Sequence, residues 1–261
     1  MSTYKNILVE DREEIAILTL NNAESRNPLT EETKDEMLDA LDRIKIDDSC
    51  RAVIITGNGP AFCAGGDIKK ISTKLTHDET KQVMKKSQQL LLSLVNLEKP
   101  VIASVNGDAF GMGCNLALAA DFIIASDKAT FSEVFVKIGL IPDFGAMYFL
   151  PRLIGIQKSK ELIYFGSAVS ADDALATGIV YKVVPHDQLN KESFKLAKKL
   201  AKSPTKAIGK AKKVLNKAFN LTLEEILYEE LEAQTYLTDT EDHQEGIKAF
   251  LEKRLPNFKG K

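Results

Sequence analysis

The sequence predicts an α/β fold, because short apolar runs alternate with helical patterns along most of the chain. The apolar runs are rich in β-branched residues and bounded by Gly, Asp or Pro, which is typical of buried strands. The segments between them repeat apolar residues at helical spacing. The predicted strands are IAILTL (15–20), AVIITG (52–57), PVIASVNG (100–107) and DFIIAS (121–126).

A first helix is predicted directly after the first strand, in TEETKDEMLDALDRIKID (30–47). Thr30 can cap its N-terminus, and acidic residues fill the first turn, where the partial positive charge of a helix favours them. Its apolar residues recur on one face, at Met37, Leu38, Leu41 and Ile44. This face is expected to pack against the sheet.

The pattern changes after VYKVVP (180–185), and we predict a division near residue 190. Residues 1–190 are expected to form the core with the ligand site, and residues 191–261 a helical region for packing and oligomerisation. This second part is amphipathic and Lys-rich but has too little mass for an independent core. We therefore expect it to pack on the main domain or on a neighbouring subunit, with its lysines on a solvated face.

Composition narrows the range of partners. With 44% hydrophobic residues, 28% charged residues and a formal net charge of -2, nothing favours nucleic acid or a membrane surface as a partner. No apolar leader or membrane span is recognisable. The three cysteines, Cys50, Cys63 and Cys114, form no CxxC pair and no cluster with histidine, so we predict reduced thiols, no metal site and a cytoplasmic location.

Two glycine-bearing turns are candidate anion sites. GPAFCAGGDIKKI (59–71) follows one predicted strand, and VNGDAFGMGCNLALAAD (105–121) follows the next. The first N–H groups of a helix are unpaired and carry partial positive charge, so two such turns can aim two N–H groups at one oxygen. Neither turn matches a nucleotide-binding loop. Glycines at strand ends also serve simply as turn formers, and that alternative stays open.

These turns and several other stretches resemble the crotonase, or enoyl-CoA hydratase/isomerase, superfamily. The resemblance implies a spiral of ββα repeats followed by C-terminal helices that mediate trimerisation, in a homotrimer or a hexamer of two trimers. It also implies an acyl-CoA thioester as substrate, with coenzyme A as part of the substrate and no further cofactor. The matching stretches are SRNPLT, AFCAGGDIKKI, KPVIASVNGDAFGMGCNLALAADFIIAS, ATFSEVFVKIGLIPDFGAMYFLPRLIG, SADDALATGIVYKVV and GIKAFLEKRLPNF.

By position, the resemblance implies an oxyanion hole made by the N–H groups of Gly66 and Met112. Because only backbone is used, the side chain of Met112 does not interfere with that role. The coenzyme A contacts implied in the same way are Ser25, Arg26, Ala64, Asp67, Ile68, Phe250 and Lys253, with the last two able to reach a neighbouring subunit. From the residues alone, Asp67 can instead cap a helix, and Phe250 and Lys253 can belong to an ordinary amphipathic helix.

The hydratases of this family use two glutamates, and this chain has Asn115 and Phe135 in their places. Asn does not accept a proton at neutral pH and Phe has no polar group, so ordinary two-glutamate hydration is disfavoured. Glu133 lies two residues before Phe135. If this segment is extended, Glu133 shares the face of Phe135, and we expect a surface carboxylate there.

Asp143, in IGLIPDFGAMYFL (138–150), takes the place where the family's Δ3,Δ2-enoyl-CoA isomerases carry one acid/base carboxylate. The surrounding stretch is most similar to the ring-opened phenylacetyl-CoA isomerases of the PaaG type. The resemblance implies that Asp143 removes a C2 proton from a 3-enoyl thioester and returns it at C4. Apolar neighbours, Phe135, Leu140 and Phe144, are expected to raise its pKa. The alternative is that Asp143 caps a helix beginning at Phe144.

Four other functions stay open at this point. Asp143 can act as a nucleophile, as in the family's 4-chlorobenzoyl-CoA dehalogenases, although the sequence has no Trp to stack on an aryl group. A ring-opening or ring-closing CoA isomerase shares the dienolate step. The last two are a hydratase with a non-standard carboxylate and an acyl-CoA-binding subunit without catalysis.

Overall fold

The computed structural model describes residues 4–67 and 75–261. The predicted contact residue Ile68 lies outside the described residues. The strands are β1 (Ile7–Arg12), β2 (Ile15–Leu20), β3 (Ala52–Gly57), β4 (Ala61–Cys63), β5 (Val101–Val105), β6 (Asp108–Phe110), β7 (Phe122–Ser126), β8 (Thr130–Ser132), β9 (Val169–Ser170) and β10 (Lys182–Val184). The described helices are α1 (Glu31–Ile46), α2 (His77–Val95), α3 (Met112–Leu118), α4 (Ala146–Phe165), α5 (Ala171–Thr177), α6 (Leu189–Ala201), α7 (Thr205–Leu215), α8 (Leu223–Thr238) and α9 (Glu241–Leu251).

The chain is built from repeated units of two strands followed by a helix. A six-stranded sheet has the order β1-β2-β3-β5-β7-β10, and a four-stranded sheet has the order β4-β6-β8-β9. In the pairs β3–β4, β5–β6 and β7–β8, the first strand joins the large sheet and the second joins the small sheet, and in the last unit β9 joins the small sheet and β10, after α5, joins the large one. The predicted α/β class and the spiral of ββα repeats are confirmed.

The four predicted strands correspond to β2, β3, β5 and β7, which lie side by side and parallel in the large sheet. Their residues are apolar almost without interruption because both faces of the sheet are covered. On one face α6 packs through Leu189, Ala197 and Ala201. The other face belongs to the main core, which includes the apolar face of α1.

Helix α1 begins as its sequence predicts. The Thr30 hydroxyl accepts a hydrogen bond from the N–H of Thr33 at 3.1 Å. Met37 and Leu41 are buried, as the helical spacing indicates. The start of α1 and its buried face are therefore those that the capping residue and the apolar spacing predict.

The C-terminal region has a different character. Helix α6 packs on the large sheet, so the first helix after the predicted division belongs to the same core. In contrast, no residue of α8 is buried, and its leucines Leu223, Leu227 and Leu231 are exposed. The division near residue 190 and the role of this region in oligomerisation stay predictions. No described helix combines the length and the hydropathy that crossing a bilayer would require.

Candidate active site

Three parallel strands of the small sheet end at one edge, and a chemically important segment follows each of them. Strand β4 is followed by Gly65 and Gly66, β6 by Gly111 and Met112, and β8 by Glu133. The register places β6 between the other two strands. Because the carboxyl ends of parallel strands meet at the same edge, these three segments come together.

Two glycines let the two turns approach each other closely. Gly65 has a φ of +102°, and a Cβ there would lie 2.7 Å from the carbonyl oxygen of Phe110 and 3.5 Å from the nitrogen of Met112. A Cβ on Gly113 would lie 2.2 Å from the carbonyl oxygen of Cys63. Any larger residue at either position would separate the turns.

The N–H groups of Gly66 and Met112 are available to a ligand. Met112 is the first residue of α3, so its N–H has no partner within the helix. Across residues 4–67 and 75–261, neither of these N–H groups donates to a backbone acceptor outside regular helices and strands. Since Gly65 lies against Met112, the arrangement can present two donors to one oxygen.

The predicted coenzyme A contacts of the N-terminal half lie next to these turns. The N–H of Ala64 donates to the carbonyl oxygen of Arg26 at 2.8 Å, which joins the loop containing Ser25 to the first turn. The Arg26 guanidinium is 3.4 Å from the Asp108 carboxylate and is largely exposed. Asp67 follows the same turn, so the fold brings these predicted positions together.

Asn27 is a positioning residue that the sequence analysis missed. It is buried with a φ of +56°. Its side-chain amide donates to the carbonyl oxygens of Asn58 and Ala61, each at 2.9 Å, and its side-chain oxygen accepts from the N–H of Asn22 at 2.8 Å. Asn tolerates left-handed backbone better than most residues. An Asn in a predicted loop is therefore the sequence feature that could have indicated this role.

Phe250 and Lys253 are not brought to this edge by contacts within the chain. Phe250 is exposed at the end of α9, and Lys253 follows in a turn with a φ of +55°. Helix α9 packs against α8. Their contact with coenzyme A stays a prediction that requires a neighbouring subunit.

Asp143 lies in a turn rather than at a helix N-terminus. Phe144 and Gly145 have φ values of +48° and +86°, and α4 begins only at Ala146, with no side-chain cap. The interpretation of Asp143 as a helix cap is therefore wrong. Instead, the side-chain amide of Asn115 donates to the backbone carbonyl of Asp143 at 2.9 Å, which ties this turn to α3.

The Asp143 side chain is partly buried, and burial raises its pKa to about 6. The positive charge of Lys34 acts in the opposite direction. Phe135 and Phe144 are buried as expected, whereas Leu140 is 51% exposed, so its part in enclosing Asp143 stays a prediction. The Oδ1 atom of Asp143 is buried and has no hydrogen-bond partner among the described residues.

Glu133 is the largest departure from the sequence analysis, because it is buried, with 2% exposure, rather than on the surface. The segment Val134–Ile138 is a 3-10 helix, so the extended geometry assumed for it is also wrong. Phe131 and Ser132, the last two residues of β8, are also buried, so this strand ends inside the protein and Glu133 follows it there.

Burial raises the pKa of Glu133 to about 7, and the nearby Asp143 charge adds to this effect. Cys114 and Asn115 are its polar neighbours, but neither reaches it with full hydrogen-bond geometry. Both carboxyl oxygens of Glu133 therefore lack a partner in the described part of the chain, as does the side-chain oxygen of Asn115. Several unpaired acceptors are thus gathered beside Asp143.

This burial predicts a pH-dependent stability. The folded-state pKa of Glu133, about 7, lies above its ordinary value of 4.5, so the folded protein binds the proton more tightly and loses stability as pH rises from 4.5 to 7. Glu133→Gln cannot ionise and should be more stable than the parent at pH 8 by roughly 2 to 3 kcal/mol. Urea unfolding at pH 5 and pH 8, at one protein concentration, measures this. Equal pH dependence in both proteins would contradict it.

In residues 4–67 and 75–261 the geometry defines a class of site in which two backbone N–H groups without a backbone partner lie near the buried Glu133 and the partly buried Asp143, and such a site suits reactions that develop an oxyanion. Residues 10–261 match the family model described as Enoyl-CoA hydratase/isomerase. The chain belongs to the enoyl-CoA hydratase/isomerase family, and it is an enzyme of that family.

Individual relatives carry names from both reaction classes. The chain is 35% identical over 261 residues to the trans-2-decenoyl-(acyl-carrier-protein) isomerase of Streptococcus mutans, with 99% of each chain covered. It is 36% identical over 250 residues to the 1,2-epoxyphenylacetyl-CoA isomerase of Escherichia coli, with 95% of each covered. The solved structure of an enoyl-CoA hydratase subunit from Geobacillus kaustophilus matches the full length of both chains with a TM-score of 0.93 and 32% identity. The predicted family resemblance is confirmed.

Proposed function

We propose that this enzyme is an acyl-CoA isomerase that shifts a double bond through a thioester dienolate, with Asp143 as the acid/base. The thioester oxygen accepts hydrogen bonds from the N–H groups of Gly66 and Met112. Ionised Asp143 takes a proton from C2, and the electron pair of that C–H bond moves toward the thioester oxygen. A proton then reaches C4, and the conjugated 2-enoyl thioester forms.

One observation carries this proposal. Asp143 combines a buried, unpaired carboxyl oxygen with a backbone tie to α3, the helix whose first N–H is one of the two oxyanion donors. A base and an oxyanion donor are thus held on one rigid unit. Removing a single donor of this kind from an enzyme costs about 2.7 to 4 kcal/mol in transition-state stabilisation, so the alignment matters.

We also propose which residues bind the coenzyme A part of the substrate and how subunits assemble. Ser25, Arg26, Ala64, Asp67 and Ile68 would hold coenzyme A as part of the substrate, with no separate cofactor. Phe250 and Lys253 would complete that site from a neighbouring subunit in a homotrimer or hexamer. The exposed leucine face of α8 supports such an assembly.

The test is to offer a 3-enoyl-CoA in heavy water and follow both the conjugated absorbance and deuterium at C2. We expect conversion to the 2-enoyl isomer and exchange of the C2 protons, because both require the dienolate. Binding of acyl-CoA without any C2 exchange would instead identify a non-catalytic binding subunit.

Hydration of a 2-enoyl-CoA is a second candidate, favoured by the burial of Glu133 near Asp143. Two carboxyl groups can hold and activate a water molecule, and hydration in this family requires such a pair. Crotonyl-CoA in the same assay separates the two functions. Substantial loss of its conjugated absorbance would establish hydration, whereas an isomerase leaves it nearly unchanged. Use of Asp143 as a nucleophile is less well supported, because its pKa is raised rather than lowered.

A further inference from the structure

Glu133 follows β8, next to the two glycine-bearing turns that contain Gly66 and Met112 and near the turn that contains Asp143. Hydrogen bonds of the preceding residue fix its backbone. The carbonyl oxygen of Ser132, the residue before it, accepts from the N–H of Gly111 at 2.8 Å. The Ser132 hydroxyl donates to the carbonyl oxygen of Gly166 at 3.0 Å. Glu133 therefore follows a residue that is fixed by two hydrogen bonds. One of them comes from Gly111, the residue preceding Met112.

The unpaired oxygen atoms around Glu133 favour a protonated carboxyl group among them. Four buried side-chain oxygens, two on Glu133 and one each on Asn115 and Asp143, have no donor among residues 4–67 and 75–261. Leaving buried acceptors unpaired is costly, and placing two ionised carboxylates together adds repulsion. A protonated carboxyl group relieves both costs, since it removes one charge and supplies one O–H donor.

The surroundings decide which carboxyl group keeps the proton. Lys34 is buried and donates to the Ser87 hydroxyl at 3.1 Å while pairing with Glu31. Ser87 lies one turn before Leu91 on α2, and a Cβ on Gly145 would be 3.0 Å from Leu91, so α2 packs against the Asp143 turn. The cation thus lies on the side of Asp143 and favours its ionised form, which leaves the proton for Glu133.

We propose that Glu133 is a second catalytic residue, which donates the proton to C4 while Asp143 removes the proton from C2. This inference rests on the proposed isomerase function. The C2–H bond breaks and its proton goes to Asp143, giving the dienolate. The Glu133 O–H bond then breaks, its proton bonds to C4, and the electron pair of the dienolate restores the thioester carbonyl. Afterwards a proton moves from Asp143 to Glu133, directly or through solvent, which resets both groups.

The first test uses Glu133→Gln, which preserves shape and cannot donate a carboxyl proton. We expect conversion of a 3-enoyl-CoA to fall on the order of 100-fold, while exchange of C2 protons in heavy water stays within a few-fold of the parent. The high-pH decline of the rate should disappear from its pH profile, because that limb reports the acid. Glu161→Gln, an exposed position in α4, is the matched control and should change none of these values.

The second test follows the label itself in the unaltered enzyme. A substrate carrying deuterium at C2 should give product without that deuterium at C4 in a single turnover, because different carboxyl groups handle the two protons. Direct transfer of the label to C4 of the same molecule, or a full conversion rate in Glu133→Gln, would overturn the proposal. If the parent enzyme neither converts a 3-enoyl-CoA nor exchanges a C2 proton, the isomerase function itself fails, and the two failures are thereby distinguished.

Discussion

Asp143→Asn is expected to lower the rate of 3-enoyl-CoA isomerisation by roughly 100- to 10,000-fold, the range that a positioned acid/base supplies. The amide is close in shape to the carboxyl group but does not take a proton from C2. The backbone carbonyl that accepts from Asn115 is unchanged, so the turn should keep its place. Exchange of C2 protons should fall with the isomerisation rate, whereas affinity for an acyl-CoA should stay within a few-fold.

Comparison with Asp48→Asn, an exposed position after α1, controls for the loss of one negative charge. This control should keep the parent rate of exchange. Full activity in Asp143→Asn would remove Asp143 from the chemistry and leave Glu133 as the carboxyl group to examine. Measuring binding of the same thioester in both variants separates a catalytic loss from a misfolded site.

The fold follows from local patterns to a large extent. The strands of the large sheet are predicted because a sheet covered on both faces needs long apolar runs. Helix α1 is predicted because Thr30 and the acidic first turn mark its start. The roles of the two glycine-bearing turns and of Asp143 are predictions from sequence motifs, since such chemistry depends on short segments at fixed places in the fold.

The misjudged features depend on contacts between distant segments. Asp143 before an apolar helix suggests a cap, but positive φ values at Phe144 and Gly145 turn the chain before the helix begins. Glu133 has a charged side chain that local propensity assigns to solvent, and its burial appears only when β8 is placed beside β6. The buried Lys34, about which the sequence makes no prediction, also depends on a distant segment, since its ammonium group donates to the hydroxyl of Ser87, 53 residues later.

Gly113→Ala is expected to lower both the stability of the fold and the rate of isomerisation, because there is no space for a Cβ between α3 and β4. The added Cβ would lie 2.2 Å from the carbonyl oxygen of Cys63 and 2.7 Å from its Cβ, so α3 must move away from β4. Overpacking of this kind costs about 1 to 3 kcal/mol of unfolding free energy. The same movement would misdirect the N–H of Met112, and losing one oxyanion donor lowers kcat by roughly 100- to 1,000-fold.

Gly246→Ala in α9 is the matched control, because it is also a helical glycine and its Cβ would only touch the Phe258 ring at 3.5 Å. Replacing a helical glycine with alanine at an open position stabilises by about 0.5 to 1 kcal/mol, so this variant should unfold no earlier than the parent and keep its rate. The effect of Gly113→Ala should appear in kcat more than in KM, because the donor bonds most strongly to the developing oxyanion. A parent-like kcat in Gly113→Ala, measured beside thermal unfolding, would show that the Met112 amide does not stabilise the transition state.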